Sequence, residues 1–216
     1  MHVWLPTEEL AKAVGCVDGV TMEVVDDWSR ALPPSCLNVE VIVPPQAYAG
    51  DFAALTGQLP RLRVVQALSA GVDQYRASLP PHVDLFNASG VHVAAKAEWV
   101  VAAILASERN LMDFAQDRAD GTWRARASRG LLDSRVIVIG AGEIGTRVAQ
   151  LLAPFGAKVT LVGRTSRVGV ESIDDIAPLL HEADAVVLLV PHTRWTGRVV
   201  DAAFLARMRP GWLLEN

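Results

Sequence analysis

Cysteine is nearly absent. Cys16 and Cys36 are the two in the chain, and neither stands at a metal-ligand spacing, so a disulfide scaffold, a metal centre and a cysteine nucleophile give way to inert thiols. A basic excess is missing as well. Twenty Lys and Arg stand against 24 Asp and Glu, a net charge of −4, which argues against a nucleic-acid partner. The one local basic run, Arg124, Arg126, Arg129 and Arg135, reads as a solvated connecting loop. The longest apolar run, Trp99 to Ala106, is too short to span a bilayer. Met1-His-Val-Trp-Leu-Pro shows no basic segment followed by an apolar core. A soluble, cytoplasmic protein with no membrane partner is expected.

The chain has 216 residues, 51% of them hydrophobic, enough to bury a sizeable core in one large domain or two small ones. In the first half, His2 to Leu5, Met22 to Val25, Val39 to Val43, Leu62 to Leu68 and Val83 to Asn87 are short β-runs rich in Val, Leu or Ile. Thr7, followed by Glu8 and Glu9, starts a helix that reaches about Val14. Proline pairs at 33–34, 44–45 and 80–81 punctuate the loops. From Ala94 to about Ala119 the spacing of Ala97, Val100, Val101, Ile104, Leu105, Leu111 and Phe114 predicts one long helix, ended by Gly121-Thr-Trp123. Alternating β and α elements predict an α/β fold with parallel sheets and helices on both faces.

The second half opens on Val136-Ile-Val-Ile-Gly140-Ala-Gly142-Glu-Ile-Gly145, an apolar strand that breaks into glycines and continues as a helix to about Phe155. In that order, G-x-G-x-x-G binds a dinucleotide. Gly140 permits the tight turn, Gly142 lets the backbone approach the pyrophosphate, and Gly145 lets helix and strand pack closely. The helix N-terminus, through Glu143 and Ile144, offers free N–H groups to the phosphates. Strands at 158–162, 185–190 and 212–214, with helices at 173–182 and 202–207, complete one mononucleotide-binding half and the first strand of a second.

Several further segments resemble the D-isomer-specific 2-hydroxyacid dehydrogenase family: Leu68-Ser-Ala-Gly71-Val-Asp73, Asn87-Ala-Ser-Gly90-Val, Ala97-Glu98-Trp99, Phe155-Gly156-Ala-Lys-Val, Glu182-Ala-Asp184-Ala-Val-Val, Pro191-His-Thr193 with Thr196, and Met208-Arg-Pro210-Gly211. They follow one another in the family's order from about Leu62 onward. The resemblance implies a flavodoxin-like substrate domain over residues 1–93, a connecting helix and loop over 94–130, and a partial Rossmann domain over 131–216. It implies hydride transfer between a nicotinamide and a small 2-oxo or 2-hydroxy acid in a cleft between the two domains. The amides of Ala70, Gly71 and Val72 would hold the substrate carboxylate, as a small-residue turn after a strand can do on physical grounds alone. Glu98 falls at the family's domain hinge, with a solvated helix carboxylate as the alternative. Lys96 departs from the family's small residue and reads as solvent-facing. Pro191 and Thr196 would border the cofactor, or Thr193 and Thr196 close their own loop. His192 stands where the family has an aliphatic residue and reads as a wall or loop histidine, not a catalytic one.

An acid at the end of the second Rossmann strand, about 20 residues past the glycines, selects NAD through the ribose 2′-OH. Arg164 stands there, followed by Thr165 and Arg167, and no carboxylate occurs from Lys158 to Val170. NADP(H) is therefore favoured over NAD(H). The family's catalytic Arg, Glu and His would lie beyond Asn216, so the chain as given is expected to be truncated and inactive; the alternative function is a remnant that binds nucleotide or a partner. Glu215-Asn216 reads either as the family's Asn preceded by a carboxylate on a buried strand, or as the beginning of a tag-removal protease site. An unfinished sheet edge leads to the expectation of a homodimer or other self-association.

Overall fold

The computed structural model describes every residue except Ser29, Ala47, Ala49, His192, Arg194, Trp195 and Asn216. Two compact units divide the chain, Met1–Val91 and His92–Asn216. In the first, β1 (His2–Leu5), β2 (Thr21–Val24), β3 (Val41–Ile42), β4 (Val64–Gln66) and β5 (Asp84–Phe86) alternate with α1 (Glu8–Val14), α2 (Phe52–Thr56) and α3 (Asp73–Arg76). All strand pairs are parallel and the order is β2-β1-β3-β4-β5, the flavodoxin-like order. Period-2 alternation sends Trp4, Ile42 and Val65 into one core and Val3, Leu5 and Val43 into the other. Helix α1 starts as its sequence demands: the Thr7 hydroxyl accepts from the Leu10 amide at 3.2 Å, and Gly15 ends it at φ +73°.

The second unit begins with two helices where one is expected. Helix α4 (Val93–Glu108) stops at Arg109, and α5 (Leu111–Ala119) restarts after Asn110, whose backbone is left-handed at φ 54°, ψ 35°. Asparagine adopts that conformation at low cost, and its amide donates to the Ala127 carbonyl at 3.1 Å. The break resets the helical phase. Ala97, Val100, Val101 and Ile104 are buried, whereas Leu111 and Phe114 are 50% and 38% exposed.

The basic run after α5 begins in an exposed loop, as expected, but its arginines have partners. Arg126 grips the buried Asp117 carboxylate with two nitrogens, at 2.7 and 3.2 Å, and Arg124 approaches it at 3.6 Å. Arg129 reaches the buried Glu108 at 3.3 Å and donates to the Gly211 carbonyl at 2.6 Å. Arg135 pairs with Glu182. Buried carboxylates require paired counter-charges, and the helices supply two of them to this loop.

The remaining elements are β6 (Arg135–Ile139), α6 (Glu143–Leu152), β7 (Lys158–Gly163), β8 (Glu171–Ser172), α7 (Ile176–Glu182), β9 (Ala185–Leu188), α8 (Ala202–Arg207) and β10 (Leu213–Glu215). The parallel sheet runs β10-β9-β6-β7-β8. Val136 and Val138 face the core shared with α4 and α6, and Ile137 and Ile139 the opposite core with α7 and α8. A strand buried on both faces must be apolar throughout, which is how β6 reads.

The two-residue β8 is too short to show a period in sequence. Its presence changes the count: β9 is the fourth strand of this sheet, not the third, and lies on the other side of β6 from β7. The order is that of a Rossmann sheet, and strand order reverses between β6 and β9.

Candidate nucleotide-binding site

Ligands of open α/β sheets bind beyond the carboxyl ends of the strands at the point where strand order reverses. Here that point is formed by the ends of β6 and β9. Strand β6 leaves the sheet through Gly140, at φ +124°. A β-carbon on Gly140 would stand 2.6 Å from the Leu189 carbonyl oxygen, so the residue after β9 fixes glycine there as firmly as the backbone angle does. Gly145 is equally constrained, since the space its side chain would need is filled by the Gly140 carbonyl. Gly142 differs: a β-carbon there would meet nothing within 4 Å. It is the N-cap of α6, and its missing side chain leaves the helix end open to an approaching group.

The first backbone bond of α6 runs from Thr146 to the Gly142 carbonyl at 2.9 Å. The amides of Glu143, Ile144 and Gly145 thus precede the ladder and form the positive end of the helix. The Glu143 side chain is exposed and Ile144 half-buried, so both serve this end through backbone, not side chain.

A cavity of about 300 Å³ adjoins the loop. Ile139, Val162, Ile173, Val190 and Val199 give it apolar walls, and Gly140, Ala141, Gly163, Arg164, Arg167 and Thr196 complete it. A neighbouring hollow of about 310 Å³ shares Val190, Thr196 and Val199 with it and takes in Pro191 and Arg198. Arg164, Thr165 and Arg167 follow β7 and are exposed. No side-chain hydrogen bond or ion pair engages the Arg164 guanidinium among the described residues. Arg167 is held: it exchanges backbone bonds with Val170 at 2.9 and 2.8 Å around Val168-Gly169, and its guanidinium donates to the Ala141 carbonyl at 2.8 Å.

Beyond β9, Thr193 and Thr196 tie their own turn. The Thr193 amide donates to the Thr196 hydroxyl at 2.8 Å, the Thr196 amide to the Thr193 hydroxyl at 3.3 Å, and the Thr196 hydroxyl to the Pro191 carbonyl. His192 lies outside the described residues, as does Asn216.

In the first unit, the turn after β4 is shaped by its carbonyls. The Ser69 hydroxyl donates to the Gly71 carbonyl at 2.6 Å, and the Asn87 amide to the Ala70 carbonyl at 2.9 Å. The amides of Ala70, Gly71 and Val72 have no acceptor among the described residues. Val72 is buried beside Tyr75 and anchors the turn, while Gly71 is exposed. Lys96 and Glu98 are exposed on α4. Lys96 also borders a hollow of about 180 Å³ with Trp99 and Glu215. Burial pushes the Glu215 carboxyl up to about 7, and neither of its oxygens has a hydrogen-bond partner among the described residues.

Gly163, Ile173 and Val199 belong to the cavity and are missing from the sequence reading. Gly163 had a signal, its place between strand and arginines; Ile173, in the single 3-10 turn before α7, and Val199, in a loop, are apolar residues with none. Among the described residues no group of three metal-ligating side chains occurs, and no helix is long and apolar enough to cross a membrane.

Comparison with known proteins agrees with this geometry. Residues 101–216 match the family model described as D-isomer specific 2-hydroxyacid dehydrogenase, NAD binding domain. The chain is 30% identical over 176 residues to a D-3-phosphoglycerate dehydrogenase of Mycobacterium tuberculosis, an alignment that covers 76% of the chain and 33% of that relative. The chain therefore spans about a third of the length of this curated relative. It is similar to the NADPH-dependent glyoxylate/hydroxypyruvate reductase of Sinorhizobium meliloti, solved with NADP and sulfate, at TM-score 0.77 and 25% identity, covering 97% of this chain and 68% of that one. It shares the fold of the Aquifex aeolicus D-lactate dehydrogenase, solved with NAD and lactic acid, at TM-score 0.80 and 21% identity, covering 100% of this chain and 68% of that one.

Proposed function

The chain belongs to the D-isomer specific 2-hydroxyacid dehydrogenase family, and on that premise we propose that its second unit binds NADP(H) in preference to NAD(H). The observation that carries this reading is Arg164, a guanidinium with no partner among the described residues, at the rim of an apolar cavity where an acid would select NAD. Glycines 140, 142 and 145 suit the pyrophosphate. Gly142 leaves its space empty of protein, and the amides of Glu143, Ile144 and Gly145 point a helix end at the anion. Arg164, Thr165 and Arg167 border the ribose side, Pro191 and Thr196 the other.

Hydride transfer between the nicotinamide and a small 2-oxo or 2-hydroxy acid is the proposed activity of the protein to which these residues belong. The turn Ala70-Gly71-Val72 would receive the acid's carboxylate on its three amides, since the Ser69 and Asn87 side chains hold its carbonyls away from that role. The bound dinucleotide supplies the hydride; this chain's residues bind and orient. Self-association through an open sheet edge and the apolar surface beside it belongs to the same reading, as does a cytoplasmic location, which suits two free cysteines.

Fluorescence titration of the chain with NADPH and with NADH tests the cofactor. Tighter binding of NADPH supports the reading, and equal or tighter binding of NADH overturns it. Oxidation of NADPH in the presence of glyoxylate or hydroxypyruvate tests the activity, and light scattering the self-association.

A further inference from the structure

Two arginines follow β7, and their environments differ. The Arg164 carbonyl accepts from the Ser172 hydroxyl at 3.5 Å, but its guanidinium is unengaged among the described residues. Arg167 is engaged three times over. Its backbone amide and carbonyl both pair with Val170, at 2.9 and 2.8 Å, across a two-residue turn whose second position, Gly169, is left-handed at φ +74°. Its guanidinium then runs back along the end of β7 to the Ala141 carbonyl, at 2.8 Å. Gly163 makes room for this path, because a β-carbon there would come within 3.3 Å of the Arg167 Nη1. Ala141 is the residue between the first two glycines of the phosphate loop. The bond therefore joins the loop after β7 to the loop after β6 across the wall of the cavity they share.

We propose that Arg167 is a positioning residue for the dinucleotide site: it fixes the Gly140-Ala141-Gly142 turn in the orientation that presents the α6 amides to the pyrophosphate. A bond from a guanidinium to a carbonyl oxygen is charge-assisted and directional, and a planar fork holds a carbonyl better than an ammonium on a flexible stem does. The pyrophosphate is common to both dinucleotides, so Arg167 supports NADPH and NADH alike. Discrimination of the 2′-phosphate then falls to Arg164. The inference rests on the reading of this cavity as a dinucleotide site and divides the labour between its two cations.

The test compares Arg167→Met, Arg167→Lys and Arg164→Met with the parent 216-residue chain, using dissociation constants for NADPH and for NADH. Arg167→Met is expected to weaken both dinucleotides by a similar factor of roughly tenfold, the scale of one charge-assisted hydrogen bond, with their ratio unchanged. Arg167→Lys retains a donor and is expected to recover part of both affinities. Arg164→Met is expected to lower NADPH affinity alone. The melting temperature without ligand, unchanged in Arg167→Met, separates positioning from a general loss of fold. A selective loss of NADPH in Arg167→Met would make Arg167 a phosphate reader and overturn the proposal, as would unchanged affinity for both. Should the parent prefer NADH, the NADP reading fails while an equal loss of both dinucleotides in Arg167→Met still upholds the positioning role.

Discussion

The Gly140 carbonyl oxygen occupies the space that a β-carbon on Gly145 would need. Turn and helix touch there through backbone alone, and the glycine loop owes its shape to that contact. Gly142, between them, has empty space on its open side. Two glycines of one motif thus differ: the fold demands one of them, and the proposed dinucleotide site would account for the other.

Substitution should separate those demands. Gly145→Ala is expected to lower the melting temperature and abolish dinucleotide binding together, because backbone on both sides must move. Gly142→Ala is expected to lower the melting temperature by no more than about 4 °C, since alanine in place of glycine at an N-cap costs up to roughly 1 kcal/mol, while dinucleotide affinity falls at least about tenfold. Equal melting losses in the two variants, read by calorimetry, would contradict the assignment.

Charge at position 164 should set the cofactor. Arg164→Asp places an acid where the ribose hydroxyls of NADH can use it and where a 2′-phosphate is repelled. The expected outcome is a reversal in the ratio of NADPH to NADH dissociation constants. Unchanged preference would mean that the phosphate is read elsewhere.

Asp117 and Arg126 make the second unit sensitive to a change far from the nucleotide. Arg126→Met leaves a buried carboxylate with only Arg124 near it, at 3.6 Å. Breaking a fully buried pair costs about 3–5 kcal/mol; partial exposure of Arg126 and the presence of Arg124 reduce the expected loss to about 1–3 kcal/mol. Urea unfolding measures it. Asp117→Asn with Arg126→Met should recover part of the loss, because the orphaned charge is gone.

Glu215 should give stability a pH dependence of unusual sign. Its ordinary value is 4.5, and burial raises it to about 7. Between those values the folded chain holds a proton that the unfolded chain has released, so stability falls as pH rises from about 4.5 to about 7 and levels off above. Glu215→Gln is expected to melt roughly 2–6 °C higher than the parent at pH 8, with the gap closing at pH 4.5 and below. A gap that stays constant across the range would show that the carboxyl is not the cause.

Sequence and tertiary structure divide the account along a physical line. What depends on neighbours a few residues away was legible in the chain: the apolar run of β6, the glycines that must follow it, the Thr7 cap, and the alternation that gives both sheets their parallel strands. These are set by backbone sterics and by periods of 2 and 3.6, which any short window carries. What depends on distant partners was not. The basic run after α5 reads as solvated until Asp117 and Glu108 are found buried beneath it. The two-residue β8 carries no period, yet it decides that β9 lies across β6 from β7. Arg164 and Arg167, three positions apart and alike in sequence, differ because one of them meets the carbonyl of Ala141. Local chemistry determined which elements form; only packing decided which charges are paired and which arginine is left for a ligand.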